Sequence, residues 1–536
     1  MARAFVALAL AVIASSAADG SAAAAAAAAV AATAAADTAA ARPNILFLLL
    51  DDQDSLLGSG LDVMPNYRQR FVEEGMTFAN AFVSSPKCCP SRTSLLSGRF
   101  AHRIADTALG WCGDFISEAR FNATFMLDVQ AAGYSTALIG KMVNDMGPMC
   151  GEAPHAPRKG VVPLGVDEFF AMCNEVVYYN NTLNDNGHLV TTGASGDANY
   201  LGAVLGNRTV SWLAAAAAEA ARPGGKPFFG YIAPHAPHFS AEPAPWHLEA
   251  PLPSYTAPRP PSYNASGAGK LWSVAMNEPL GDFTARGIDK HFVNRHRSLL
   301  SVDDLVAEVF AILEAAGVLD NTYVIASSDH GYHLGEFRIP FEKSHIYDTD
   351  VRVPFFVRGP GVPAGAIQEG LVQLLDVGAT VMELAGATQP GERTTDGRSF
   401  APLLGAAGKP PAGWRTEALV EILGLGVQWM DQCGWTWNLS GCPAPAGEDP
   451  FVLIDGPFNT WAMLRVINET HDLSYAEFRP MSAPPNKSAT NFTELYDNAA
   501  DPWQLENIAS ALPPAVRADL SARLWAVATC ALDACP

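Results

Sequence analysis

The chain has 536 residues, with 34 Lys and Arg against 55 Asp and Glu, a formal net charge of −21, and nine cysteines. Its 49% hydrophobic and 17% charged residues exclude general disorder, and its length is enough for one large domain or two. So acidic a chain repels nucleic acid and anionic membranes, so an anionic substrate needs a local basic pocket, and nine cysteines are too few for a disulfide-built scaffold.

Residues 1–18 read as a secretory signal peptide, with Arg3 before a short apolar stretch (5–14) and small residues at 15–18. The apolar stretch is too short for a membrane anchor, and no later segment is long and apolar enough to span a bilayer, so no stable membrane insertion is expected. Residues 19–41 form an Ala-rich low-complexity tail. Glycosylation sequons start at Asn122, Asn180, Asn207, Asn264, Asn438, Asn468, Asn486 and Asn491, which fits the secretory pathway, with an extracellular or lysosome- or vacuole-like destination.

The run NILFLLL at 44–50 has the continuous apolar character of a strand buried on both faces. Residues 67–75 are spaced as a helix. The stretch from 126 reads as helix, a Gly133 break, then a strand ending at Lys141. Residues 227–233 are an apolar strand closing on Pro234-His235. Residues 301–316 are a predicted helix with Asp303 and Asp304 in its first turn, followed by a strand at 323–327 that ends at Asp329-His330. Further strands are expected at 355–357 and 370–375. This alternation implies a mostly parallel α/β sheet. The Pro/Gly-rich stretch 405–414 marks a linker, dividing a catalytic domain (42–405) from a smaller α+β subdomain (414–536) with strands at 451–454 and 460–468 and a helix at 515–529.

Four groups of residues carry chemistry. Asp51-Asp52, followed by Gln53-Asp54, sets adjacent carboxylates at a strand end, where they need a cation or cap a helix. Cys88-Cys89-Pro90-Ser91-Arg92 places two cysteines at a helix N-terminus, with Pro90 as the first helical residue. Free N–H groups there favour anions, and Arg92 and Arg99 add fixed charge; a disulfide or a buried thiol is the plain alternative. Asp329-His330 follows a strand. Lys141, His235 and Lys343 are scattered polar residues that, taken singly, read as surface or core side chains.

Cys88-x-Pro-Ser-Arg92, continuing to Leu96-Ser-Gly-Arg99, resembles the signature of the type I sulfatase family. The resemblance extends over nearly the whole chain from Arg42. It implies an alkaline-phosphatase-like α/β sandwich, with a large mostly parallel central sheet and a smaller C-terminal α+β subdomain. It further implies that Cys88, not Cys89, is converted to formylglycine (3-oxoalanine) by a formylglycine-generating enzyme. One Ca²⁺ would be held by Asp51, Asp52, Asp329, His330 and residue 88. Arg92, Lys141, His235 and Lys343 would bind sulfate and serve the leaving group. Many members have Asn at position 330, and many have a His where this chain has Val143; Asn144 beside it, or His238, are candidates to fill in. DDQD, KCCPSR, GKMVND and SDHGYHLGEF look most like the N-acetylglucosamine-6-sulfatase and arylsulfatase branch.

The expected activity is therefore hydrolysis of sulfate monoesters on a sulfated small molecule, an aryl group or a glycan end. The rivals are a phosphate or phosphonate ester hydrolase and an inactive secreted binding protein. Conversion of Cys88 leaves eight thiols. Cys433 with Cys442 and Cys530 with Cys535 are the local pairs to expect, with Cys89 free.

Overall fold

Seven consecutive buried residues make Asn44–Leu50 (β1) the axis of the fold. Successive side chains of a strand point to opposite faces. Ile45, Phe47 and Leu49 enter one hydrophobic cluster, and Leu46, Leu48 and Leu50 another. The structure, a computed structural model, describes residues 42–104, 112, 122–144, 146–150, 160–174, 177–388, 395–422, 428–431, 451–455, 458–480 and 490–530.

β1 is joined by Met76–Phe78 (β2), Ser135–Gly140 (β3), Glu168–Met172 (β4), Thr182–Asp185 (β5), His188–Thr191 (β6), Phe228–Ala233 (β7), Thr322–Ser328 (β8), Phe355–Arg358 (β9) and Ala366–Gln368 (β10). They form a ten-stranded sheet in the order β10-β2-β9-β8-β1-β7-β3-β4-β5-β6. The central strands β8, β1, β7, β3 and β4 run parallel. Antiparallel pairs are confined to the flanks, at β9 and at β5–β6. The sheet is thus parallel where the sequence alternates strand and helix, and mixed outside.

Helices cover both faces. Cys88–Ser97 (α1), Phe125–Ala131 (α2) and Asp376–Ala385 (α5) supply Leu95, Leu96, Phe125, Met126, Val129, Val377 and Val381 to the first cluster. Leu201–Ala220 (α3) and Asp282–Ala315 (α4) supply Leu201, Leu205, Leu213, Leu299, Val302, Leu305 and Val306 to the second.

Several sequence expectations change. α4 starts at Asp282, far ahead of residue 301, so Asp303 and Asp304 lie well inside it. The buried stripe Ile288, His291, Arg295, Leu299, Val302 has helical spacing, but its polar members mask it. Asp303 instead accepts hydrogen bonds from Tyr67 N (2.7 Å) and Asn66 Nδ2 (2.8 Å), in the first turn of the short helix Pro65–Tyr67. That helix continues as the π-helical turn Arg68–Glu73. The strand expected at 370–375 shrinks to Val372–Gln373, which pairs with Ala81–Phe82 outside the main sheet.

The C-terminal part carries an antiparallel sheet in the order β11-β12-β13-β14, of Glu417–Ile422 (β11), Trp461–Ile467 (β12), Asp472–Phe478 (β13) and Phe492–Asp497 (β14), and the helix Pro514–Ala528 (α6). Leu419, Leu464 and Leu495 pack on Leu520, Leu524 and Trp525 of α6. Val420, Met463, Ala476 and Tyr496 join the first cluster of the main sheet, so this sheet is buried on both faces.

Disulfides join Cys89 to Cys112 and Cys150 to Cys173. The expectation of a free Cys89 is therefore corrected. Neighbours on a helix point about 100° apart, so Cys88 can face the sheet edge while Cys89 turns to another segment. Cys88 is the free cysteine among the described residues. Cys530 is disulfide-bonded; Cys433, Cys442 and Cys535 lie outside the described residues.

Candidate active site

Parallel strands deliver their C-terminal ends to one edge, where ligands bind in open α/β sheets. Asp51 and Asp52 follow β1, Lys141 follows β3, His235 lies just past β7, and Asp329 and His330 follow β8. Gly140 (φ 113°) makes one of these turns possible, because a Cβ there would sit 2.0 Å from Ala233 O. Only glycine lets the two strand ends close so tightly, with Lys141 N on Ala233 O at 2.9 Å. Gly331 is equally constrained by Thr349 O at 2.0 Å from an added Cβ.

α1 starts at Cys88 after an extended Lys87, so Pro90 is its third residue rather than its first. Arg92 lies about one turn on, on the same face as Cys88. Arg99 follows Gly98 at the opposite end, about 15 Å along a ten-residue helix, so it does not join the site.

Cys88, Asp51, Asp52, Arg92, Lys141, His235, Asp329, His330 and Lys343 are all buried and converge. Asp51 Oδ2 lies 2.7 Å from Lys141 Nζ, 3.5 Å from His235 Nδ1 and 3.6 Å from Arg92 Nη2. Arg92 Nε donates to Asp329 Oδ2 at 2.7 Å, and its Nη1 to Lys141 O at 2.6 Å. Lys343 Nζ meets Asp52 Oδ1 at 2.9 Å. His330 Nε2 is 3.2 Å from Cys88 Sγ, 3.4 Å from Asp329 Oδ1 and 3.5 Å from Asp52 Oδ1.

Three carboxylates therefore face three fixed cations. Burial alone would raise the Asp51 carboxyl, but the Lys141 ammonium, with His238 and Arg92, holds it well below the usual range. Asp52 is lowered likewise: burial raises it, but Lys343, His238 and His330 together outweigh that. In return burial opposes the Lys343 ammonium, but Asp52, with Cys88 and Glu342, keeps it well above the ordinary value. Burial pushes His235 down to about 4, so it is a neutral imidazole at neutral pH. At Cys88 burial opposes ionisation, but Lys141 and Lys343 outweigh it and favour the thiolate.

The residues fit a hard cation. One ligand atom each from Asp51, Cys88, Asp329 and His330 lie within 4.8 Å of one another, about twice a calcium–oxygen distance. Asp52 Oδ2 is buried without a hydrogen-bond partner. His330 Nδ1 lies 2.9 Å from Gly331 O, which turns Nε2 toward the carboxylates in the manner of a ligating histidine.

Two further residues, His238 and Arg295, join the site with little signal in the sequence. His238, at first a secondary candidate, places a ring nitrogen within 4.8 Å of Asp51, Asp52 and Cys88. Its ring lies 4.6 Å from that of His235, and Tyr178 OH donates to its carbonyl at 2.9 Å. The repeated Pro-His of 234–238 was the available clue. Arg295, on α4, donates to Asp52 O at 2.7 Å and stacks on Tyr332, 4.1 Å from the ring centre. Asp52 has φ 70°, and Arg295 braces that turn.

The sulfatase family model matches residues 43–387. The chain is 34% identical over 505 residues to N-acetylglucosamine-6-sulfatase of Capra hircus, covering 92% of this chain and 85% of that one. It is 31% identical over 539 residues to an arylsulfatase of Volvox carteri, covering 92% and 76% respectively. The fold matches a structure solved with its substrate D-glucosamine-2-N,6-O-disulfate, with a TM-score of 0.65 and 21% identity over 90% of this chain and 97% of that one.

Proposed function

Because this chain belongs to the sulfatase family and is a sulfate ester hydrolase, we propose that it cleaves sulfate monoesters of a small, aryl or terminal sugar group, with Cys88 matured to formylglycine and one Ca²⁺ bound. The observation that carries this reading is the convergence of Asp51, Asp52, Asp329, Arg92, Lys141 and Lys343 around residue 88 at the sheet edge. The nearby N-acetylglucosamine-6-sulfatases and arylsulfatases support both substrate types. The −21 charge favours a short substrate over a long polyanion.

Matured residue 88 supplies a hydrated aldehyde as nucleophile, and calcium, held by Asp51, Asp52, Asp329, His330 and residue 88, supplies a Lewis-acidic field for sulfate oxygens. The chain's own residues do the rest. The three carboxylates offset the three cations, so the excess positive charge that draws sulfate comes with the metal. Arg92 ties residue 88's helix to Asp329 and to the Lys141 carbonyl. Lys141 spans Asp51 and the sulfate position. His235 Nδ1 faces Asp51 Oδ2 while its Nε2 is buried without a hydrogen-bond partner, so it serves as a neutral donor toward sulfate or the leaving oxygen. Lys343, held charged by Asp52, neutralises that oxygen as it departs.

The expected signal peptide and the sequons support maturation in the secretory pathway, with a formylglycine-generating enzyme as partner and an extracellular or lysosomal destination. Among the described residues no helix is long and apolar enough to cross a membrane.

The test is mass spectrometry of the Cys88 peptide, together with hydrolysis of 4-nitrophenyl sulfate and 4-nitrophenyl phosphate. The expected result is a converted residue 88, preference for the sulfate ester, and loss of turnover in Cys88→Ala. Full turnover by the Ala variant would overturn the nucleophile assignment.

A further inference from the structure

Lys343 reaches Asp52 from a loop rather than from a strand end, so something must fix that loop. The residues on either side of it are both strained: Glu342 has φ 111° and Ser344 φ 91°, and neither is glycine. Such conformations persist only where surrounding contacts over-determine them.

The contacts are visible. His333 N donates to Glu342 O at 3.0 Å. His345 N donates to Asp350 Oδ2 at 2.9 Å, and Asp350 Oδ1 lies 2.9 Å from His333 Nδ1, so one carboxylate ties both flanks of the loop. The remaining carbonyl, Ser344 O, accepts a hydrogen bond from Asn459 Nδ2 at 2.9 Å. Asn459 lies just before β12, more than a hundred residues away in the C-terminal part of the chain. It is fully buried, and its other amide atom, Oδ1, accepts from Trp461 Nε1 at 3.1 Å. An indole N–H can only donate, so it fixes which end of the amide faces Ser344.

The geometry points to Asn459 as a positioning residue for Lys343: through Trp461 and the Ser344 carbonyl, the C-terminal sheet sets the height of the leaving-group lysine over the active site. This rests on the assignment of Lys343 to the leaving oxygen. It explains why a second sheet packs beside the catalytic one without contributing a side chain to the reacting centre.

The test uses the matured full-length enzyme and a series of aryl sulfates, from 4-nitrophenyl sulfate, with a good leaving group, to phenyl sulfate, with a poor one. A misplaced Lys343 harms poor leaving groups most, because they carry the most charge on the departing oxygen. Asn459→Ala should lower kcat/KM for phenyl sulfate about tenfold more than for 4-nitrophenyl sulfate, and Lys343→Ala should show the same selectivity more strongly. Trp461→Phe, which removes the N–H but keeps an aromatic ring in the core, should shift selectivity in the same direction by less, and it carries the test if Asn459→Ala does not fold. A loss that is uniform across the series in the Asn459 and Trp461 variants, while Lys343→Ala remains selective, overturns the positioning role. A uniform loss in Lys343→Ala instead overturns the leaving-group assignment beneath it.

Discussion

Among the described residues lysines are buried in two regions, and the two burials are built in opposite ways. At the sheet edge Lys141 and Lys343 face carboxylates at 2.7 and 2.9 Å. Where the C-terminal sheet meets the main core, Lys270 Nζ sits 3.8 Å from the ring centre of Phe337, 4.4 Å from that of Tyr496 and 4.6 Å from that of Tyr347. It donates to Tyr496 OH at 2.7 Å and to Gln504 O at 2.6 Å. The consequences differ in sign: Asp52 holds Lys343 well above its ordinary value, while burial pushes Lys270 down to about 8. One region keeps charge ready and leaves Asp52 Oδ2 and His235 Nε2 without hydrogen-bond partners. The other closes a single ammonium among ring faces and neutral acceptors, where the charges of Glu494 and Asp501 do not make up for burial. The first is built to receive a ligand, the second to hold two parts of the fold together.

Removing one carboxylate from the charged region should break it most. Asp51→Asn leaves three cations facing two carboxylates and removes a metal ligand. Turnover of 4-nitrophenyl sulfate should fall by at least about a hundredfold. In the unsubstituted protein, calcium at a hundred times its Kd should add about 2.7 kcal/mol of stability over the chelated form. Melting curves with calcium and with chelator should show that increment vanish in Asp51→Asn. An Asn variant that calcium still stabilises fully would mean the ion binds elsewhere.

The two adjacent cysteines sharpen the same contrast. Cys88 faces Asp51 Oδ1 at 3.8 Å, whereas Cys89 bridges to Cys112 across 23 residues. Replacing Cys89 and Cys112 together with Ser should cost about 3 kcal/mol of stability in a denaturant titration, from the freed loop. Activity per folded molecule should stay within a fewfold of the parent. A loss as deep as that of Cys88→Ala would place the disulfide within the catalytic machinery.

Much of the charged region was legible in the sequence because its chemistry sits next to strand ends. β1 announces itself as an unbroken apolar run, and Asp51-Asp52 must follow it. The same holds for Lys141 after β3 and Asp329 after β8. What the sequence concealed depends on distant packing. The start of α4 was hidden because His291 and Arg295 occupy its buried face, and Arg295 is there to hold Asp52 O. Cys89 pairs with a cysteine no local pattern selects. Asn459 looks like any loop asparagine until Ser344 O lies against it. The rings around Lys270 come from positions 337, 347 and 496, so no window of sequence contains the cage.

That cage makes the last of these predictions, one that leaves turnover untouched, and its sign follows from proton linkage. Lys270 titrates near 8 in the folded chain against an ordinary 10.5, because burial penalises the ammonium more than Glu494 and Asp501 support it. Below pH 8 both folded and unfolded chains hold the proton, and the penalty is present in full. Between 8 and 10.5 the unfolded chain still holds a proton that the folded chain has released, so this site adds stability as pH rises, by up to about 3 kcal/mol. Lys270→Met keeps an apolar stem against the three rings and removes the titrating group. The difference in unfolding free energy between parent and Lys270→Met, measured in urea at pH 7.5 and again at pH 10, should therefore move in favour of the parent. If that difference stays constant, the ring faces and the two hydrogen bonds offset burial completely. The cage would then hold its charge as well as water does, still short of the hold that Asp52 has on Lys343.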